Sequence, residues 1–249
     1  METNLVEICV ARLQSGLAAQ EGGAARIELC DNLYEGGTTP SYSAIKMAVK
    51  LLDIGVHVMI RPRGGDFCYD ELDFELMQED IKACKKLKVQ GVVFGVLLPD
   101  GHVDVVRTQR LVELAKPLPT TFHRAFDVTP DPHKALEDIV YTGVHRVLTA
   151  GQQNKAPLGM DLIRTLVKQA AQRIIIMPGS GLSQEIIKDF RDQTGACEFH
   201  LSAKMTVDSK MTFRKQDVFM GSLPQIPEYE INVTSADLVK QVVALVNQA

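Results

Sequence analysis

Eight short β-rich runs recur along this chain of 249 residues, at 5–10, 26–30, 57–61, 91–97, 120–126, 146–149, 173–177 and 198–202. A longer stretch with apolar residues at helical spacing follows each one. Leu162, Ile163, Leu166 and Val167 display that period, as do Ile186, Ile187 and Phe190. Helix starts are marked locally: Asp131-Pro132 sets a capping carboxylate before a proline suited to the first turn, and Ser235 with Asp237 marks another. No Pro/Gly/Ser linker, low-complexity tract or second composition regime interrupts the repeat. The pattern therefore predicts an α/β fold of one domain over residues 1–249, a parallel (β/α)8 TIM-type barrel rather than an open doubly wound sheet. Such barrels take about 250 residues, and 45% hydrophobic residues supply the core. One segment breaks the rhythm: 204–234, between strand 8 and the last helix, carries Met205, Met211, Phe213, Phe219, Met220 and Pro224. A connection of that length is expected to be a lid or a subunit contact.

Composition excludes several functions. The net charge is −4 with no basic run, which argues against a nucleic-acid partner. No apolar run approaches the roughly 18 residues of a membrane span. Met1-Glu2-Thr3-Asn4 leads straight into the first strand without a basic region, so no secretory leader is expected. Five cysteines, an odd number without a CxxC pair, do not form a disulfide framework, and a cytoplasmic location is the expectation. Neither a Walker loop nor a GxGxxG turn is present, so no nucleotide cofactor is indicated.

Barrel sites open at the C-terminal ends of the strands, and side chains two apart along a strand share a face. Val6, Ile8, Val10, Ile27 and Leu29 suit the helix layer, which turns Glu7, Cys9, Glu28 and Cys30 inward. By the same rule Arg61, His123 and His200 point inward from strands 3, 5 and 8, and Asp127 follows strand 5 closely enough to reach the mouth. Buried charge is costly unless paired, so Glu28 is expected to meet Arg61 on the neighbouring strand. Glu7, Glu28, Arg61, His123, Asp127 and His200 then form one polar pocket for a small molecule, or a purely structural ion network. In the pocket reading Glu28 or His123 is the base and His200 its acid partner. Arg61 orients substrate charge, while Glu7 and Asp127 orient the others or bind a hard divalent ion. Gly179-Ser180-Gly181 after strand 7 reads as a turn opening a helix, with backbone N–H groups for an anion. Cys84 reads as packing. Cys68 lies in a loop, and His57, His102, His133 and His145 fall at strand starts or surface loops, mostly away from the mouth.

Several segments together carry a resemblance: Glu7-Ile8-Cys9, Arg26-Ile27-Glu28-Leu29-Cys30, Glu35-Gly36-Gly37-Thr38-Thr39-Pro40-Ser41 and Ile60-Arg61-Pro62-Arg63-Gly64-Gly65-Asp66-Phe67. Val93-Phe94-Gly95, Thr121-Phe122-His123-Arg124-Ala125-Phe126-Asp127 and Glu198-Phe199-His200-Leu201-Ser202-Ala203 extend it. From residue 5 to about 203 the chain resembles the copper homeostasis protein CutC family; Met211-Thr212-Phe213-Arg214 matches more loosely. The resemblance implies a TIM-type barrel, a cytoplasmic homodimer or homotetramer, an association with copper tolerance, and Cu(I) binding through Cys9 and Cys30. Those residues lie on neighbouring strands roughly 4.8 Å apart, where two soft thiolates could share one Cu(I). Two departures stand out: Gly179-Ser180-Gly181 where the family often has Gly-Gly-Gly or Ala-Gly-Ala, and Thr149-Ala150-Gly151 where it often has Thr-Ser-Gly. Three functions remain open: copper handling, a barrel isomerase, lyase or hydrolase acting on a small anionic or sugar-like metabolite, and a non-catalytic sensor. The first needs the thiols, the second the Glu, Arg and His groups.

Overall fold

The computed structural model describes residues 4–220 and 226–248; Pro224 and residues 1–3 lie outside them. Eight strands line up as β1 (Leu5–Val10), β2 (Arg26–Leu29), β3 (Gly55–Met59), β4 (Gly91–Phe94), β5 (Thr120–Phe122), β6 (Arg146–Thr149), β7 (Ile175–Pro178) and β8 (Glu198–Leu201). Helices α1 (Leu13–Glu21), α2 (Tyr42–Leu51), α3 (Glu71–Leu87), α4 (Val105–Ala115), α5 (Pro132–Thr142), α6 (Met160–Ala170) and α7 (Ile187–Thr194) alternate with them. The strands pair in parallel in the order β7-β6-β5-β4-β3-β2-β1-β8, and a parallel bridge between Gly179 and His200 closes the ring. The fold is a single eight-stranded TIM-like barrel.

Local chemistry sets the element ends. Asp131 accepts hydrogen bonds from the N–H groups of His133 and Lys134, with Pro132 in the first turn of α5. Ser41, Asp70 and Asp104 cap α2, α3 and α4 in the same manner. Such caps stabilise a helix by about 1 kcal/mol each. Along the strands, Val6, Ile8, Ile27, Val58, Phe94 and Phe199 face the helices and join one apolar core. The alternate residues face the barrel axis, and many of them are polar.

Several strands, β3 and β5 among them, end earlier than the β-rich runs do. Arg61 lies beyond β3, where its N–H turns to Thr39 Oγ1 (3.0 Å), and His123 caps a short 3-10 helix, Arg124–Val128, beyond β5. The long segment after β8 is a hairpin: β9 (Lys204–Asp208) pairs antiparallel with β10 (Glu230–Thr234). Its base is tied down by Thr234 N–H to Ser15 Oγ (3.1 Å) and Ser235 N–H to the Ala203 carbonyl (2.9 Å). Met205, Met211, Phe213, Phe219 and Met220 stand exposed on this arm. Ser235 then caps α8 (Ala236–Val246), as its sequence context indicates. Among the described residues no helix is long and apolar enough to cross a membrane.

Candidate functional site

The polar interior is built in two layers. In the lower one, Arg26 Nε donates to Glu7 Oε2 at 2.5 Å and its Nη2 donates to Glu198, while Arg146 Nε reaches Glu198 Oε2 at 3.0 Å. Two guanidinium groups thus face two carboxylates in a dry space. His57 sits 3.7 Å from Glu7 Oε2, and burial pushes its pKa down to about 4, so it stays neutral. The ion network weighed from the sequence exists here, but with Arg26, Arg146 and Glu198, which sequence reasoning missed. His57, read from the sequence as lying at a strand start away from the mouth, is buried in this lower layer. The signal was available: Arg26 is two residues before Glu28, and Glu198 two before His200, so each shares its neighbour's face.

His200 links this layer to the one above. Its Nδ1 donates to Glu7 Oε1 at 2.7 Å, and its Nε2 lies 3.8 Å from Glu28 Oε2. Burial opposes the charge on His200, but the carboxylates of Glu28 and Glu7 and the Cys9 contact hold its pKa well above the usual histidine range. Burial likewise acts against the Glu7 carboxylate, yet Arg26 and His200 outweigh it and keep Glu7 well below the carboxylate range. Glu28 lacks such a guanidinium, and burial raises it to about 8.

Cys30 Sγ donates to Glu28 Oε2 at 3.3 Å, and the two sulfurs of Cys9 and Cys30 are 4.0 Å apart. Met59, Val93 and Cys9 pack around Cys30. Within the thiol pair the Cys30 hydrogen bond, aided by His200, draws Cys9 down to about 5 against burial, while Cys30 is raised. Two groups of donor atoms lie within 4.8 Å of one another: Cys9, Glu28 and Cys30, and Glu7, Glu28 and His200. Gly37 (φ 91°) packs against Cys30, where a Cβ would stand 3.2 Å from its Sγ.

Above the thiols opens a cavity of 790 Å³ whose wall includes Cys9, Glu28, Arg61, His123, Lys155 and His200. Arg61 does not pair with Glu28 as expected. Lying past the end of β3, it donates from Nη1 to the carbonyls of Glu35 (2.7 Å) and Gly37 (2.9 Å) and from Nη2 to that of Gly65 (2.7 Å). It therefore ties two loops together. His123 Nδ1 accepts the Ala125 N–H at 3.2 Å, and burial, reinforced by the charge of Arg61, lowers its pKa to about 3. A nitrogen so engaged and so weakly basic does not suit the general base expected there. Three buried atoms of these wall residues have no hydrogen-bond partner among the described residues: Glu28 Oε1, Arg61 Nε and His123 Nε2.

Two further expectations change. Asp127 is not part of the cavity wall. Its carboxylate accepts from Thr149 Oγ1 and the N–H groups of Ala150 and Gln152 and pairs with Arg124 Nε (2.6 Å), so it anchors the loop after β6. In the turn after β7, Ser180 and Gly181 border the cavity but Gly179 belongs to the closing seam with His200. Moreover α7 begins only at Ile187, so no helix N-terminus reinforces that turn. Ser180 Oγ donates to the Asn154 carbonyl at 2.8 Å.

Comparison with known proteins agrees with this architecture. The chain is 51% identical to a CutC family protein of Parabacteroides distasonis over 95% of its own length and 98% of the relative's. It is 44% identical to a human protein named copper homeostasis protein cutC homolog, covering 97% of this chain and 88% of that protein. A CutC crystal structure from Streptococcus agalactiae superposes with a TM-score of 0.77 at 37% identity, over 80% of this chain and 99% of the other. The CutC family signature itself matches residues 4–205, from β1 into the hairpin, and the chain belongs to the CutC family.

Proposed function

We propose that this protein handles copper by holding one Cu(I) between Cys9 and Cys30 at the floor of the barrel mouth. The observation that carries this reading is the 4.0 Å separation of the two sulfurs on the inner face of neighbouring strands. That gap is too long for a disulfide of about 2.05 Å and short enough for both sulfurs to reach a single ion. Soft thiolates select Cu(I) over hard cations. Glu28 places a carboxyl oxygen within 4.8 Å of both sulfurs, as a third donor beside the ion. The copper homeostasis name of the human relative supports the same cargo. A reducing compartment, as the cysteine usage implies, would keep both thiols available. An anaerobic Cu(I) titration against a competing chelator tests the reading. The wild type should bind one equivalent that the Cys9→Ser, Cys30→Ser double variant loses, and equal affinities contradict it.

A second reading rests on a different observation, the three unpartnered polar atoms of the cavity wall. A space of 790 Å³ suits a small metabolite, and buried polar groups normally find partners. In this reading the mouth of the barrel binds a small anionic or sugar-like molecule, as an enzyme or a sensor. A metabolite screen by thermal shift tests it, with no stabilising compound as the contrary result.

A further inference from the structure

We propose that the barrel mouth takes a small anionic carbonyl compound whose carbonyl oxygen accepts a hydrogen bond from His123 Nε2–H. The imidazole acts there as a neutral donor, neither a base nor a metal ligand. This inference rests on the small-molecule reading of the cavity and names its ligand class.

The argument begins with the proton. The Ala125 N–H points at His123 Nδ1 from 3.2 Å, so Nδ1 presents its lone pair and the ring proton resides on Nε2. That Nε2–H is buried and has no partner among the described residues, although His123 belongs to the cavity wall. A donor left in this state awaits an acceptor.

The ring cannot turn away to find another. Phe67 packs against it at a tilt with centroids 4.9 Å apart, and Phe122 meets it edge-on at 6.2 Å. On a further side lies Gly95, where a Cβ would stand only 2.6 Å from Nδ1. The backbone just past β4 thus approaches the imidazole closely because no side chain intervenes.

The ring also resists charging. It is 3% exposed, and the Arg61 guanidinium packs over the ring of the same aromatic neighbour, 5.0 Å from the Phe67 centroid. Both features disfavour imidazolium. Neither group of converging metal-ligand atoms among the described residues includes His123.

A fixed, neutral N–H in a largely dry wall matches an oxygen that carries or gathers negative charge, such as a carbonyl polarised toward its enolate. The cations bordering the same cavity, Arg61, Arg124, Lys155 and Lys204, outnumber the carboxyl groups of Glu28 and Glu185 and favour an anionic molecule. A phosphate or sulfate alone would be served by the cations and gain little from a single neutral donor. A carbonyl next to a carboxylate uses both.

The test is NMR of the full-length chain with 15N-labelled histidine, the His123 resonances being assigned by their loss in His123→Phe. The probe is pyruvate, with lactate as the control that keeps the carboxylate and replaces the carbonyl. Between about pH 8 and about pH 5, a range that spans ordinary histidine titration, His123 should remain neutral and protonated on Nε2. Pyruvate should shift that Nε2–H saturably at millimolar concentration, and lactate should bind at least about tenfold more weakly, the ratio set by roughly one lost hydrogen bond. His123→Gln, which keeps an N–H donor, should retain part of the pyruvate affinity that His123→Phe loses. A His123 that titrates normally, or carries its proton on Nδ1, overturns the proposal and leaves the small-molecule reading intact. Pyruvate that binds wild type and His123→Phe equally also overturns it. Absence of a pyruvate effect on a correctly protonated His123 overturns the ligand class, and the metabolite screen separately decides whether the cavity takes small molecules at all.

Discussion

The lower layer and the mouth of this barrel use the same residue types, Glu, Arg and His, to opposite ends. Below, Arg26 and Arg146 face Glu7 and Glu198, and each charge meets a counter-charge at bonding distance. Above, Arg61 donates to backbone carbonyls rather than to a carboxylate, Glu28 faces a thiol and a histidine 3.8 Å away, and three polar atoms are left without partners among the described residues. Pairing separates scaffold from site where composition does not. A set of ion pairs holds strands β1, β2, β6 and β8 together across the axis, although Arg146 Nη1 and His57 Nδ1 in this layer also lack hydrogen-bond partners among the described residues. An open set beside a cavity keeps its hydrogen-bonding capacity for something that arrives.

The largest expected effect breaks the lower layer. Glu198→Gln leaves Arg146 without a counter-charge, and removing one partner of a buried pair costs roughly 3–5 kcal/mol. Urea unfolding should show this loss; a variant as stable as wild type would put the layer's scaffold role in doubt. Next comes the pH dependence that His123 imposes. Its folded pKa, about 3, lies below the ordinary value near 6.5. Its contribution is therefore fully present above about pH 6.5 and is lost as the pH falls toward about 3, because the unfolded chain takes up a proton that the folded ring refuses. Between about pH 6.5 and 4.5 this amounts to roughly 2–3 kcal/mol. The slope of wild-type stability over that window should exceed the slope of His123→Gln, and equal slopes would contradict a buried neutral imidazole.

A smaller loss is expected at Arg61, which bridges the loops after β2 and β3. Arg61→Gln gives up hydrogen bonds from a charged donor worth about 1.5–3 kcal/mol each, partly regained through water in the opened loops, for a net loss of roughly 2 kcal/mol. Faster amide exchange at residues 35–37 and 63–67 should accompany it, and unchanged exchange there would remove Arg61 from the loop framework. The smallest effect belongs to the thiols: Cys9→Ser with Cys30→Ser should alter stability by about 1 kcal/mol, since half-buried Cys9 and buried Cys30 both change little in volume.

The outline of this molecule was readable from period alone. Two-residue alternation in the first two strands turned Glu7, Cys9, Glu28 and Cys30 inward, and they are inward. The same rule extended three residues further would have brought in Arg26, Arg146 and Glu198; attention to the strand C-termini passed over them. Other errors have a different origin. The partners of Arg61 and Asp127 depend on where loops travel, and loops have no period from which to read a contact. His123 was legible as an inward residue but not as a donor, since its tautomer is set by the N–H of a residue two positions on, in a turn that sequence does not specify. The hairpin after β8 escaped because Lys204–Asp208 and Glu230–Thr234 lie largely exposed, so neither strand has the apolar face that marks the barrel strands.

One measurement bears most directly on the division between scaffold and site: Cu(I) competition titrations run anaerobically on wild type, Glu198→Gln and the Cys9→Ser, Cys30→Ser double variant, each first shown to be folded. The account expects Glu198→Gln to bind Cu(I) as wild type does while unfolding at lower urea, and the double variant to unfold as wild type does while losing the ion. A double variant that binds Cu(I) with undiminished affinity would contradict the central claim.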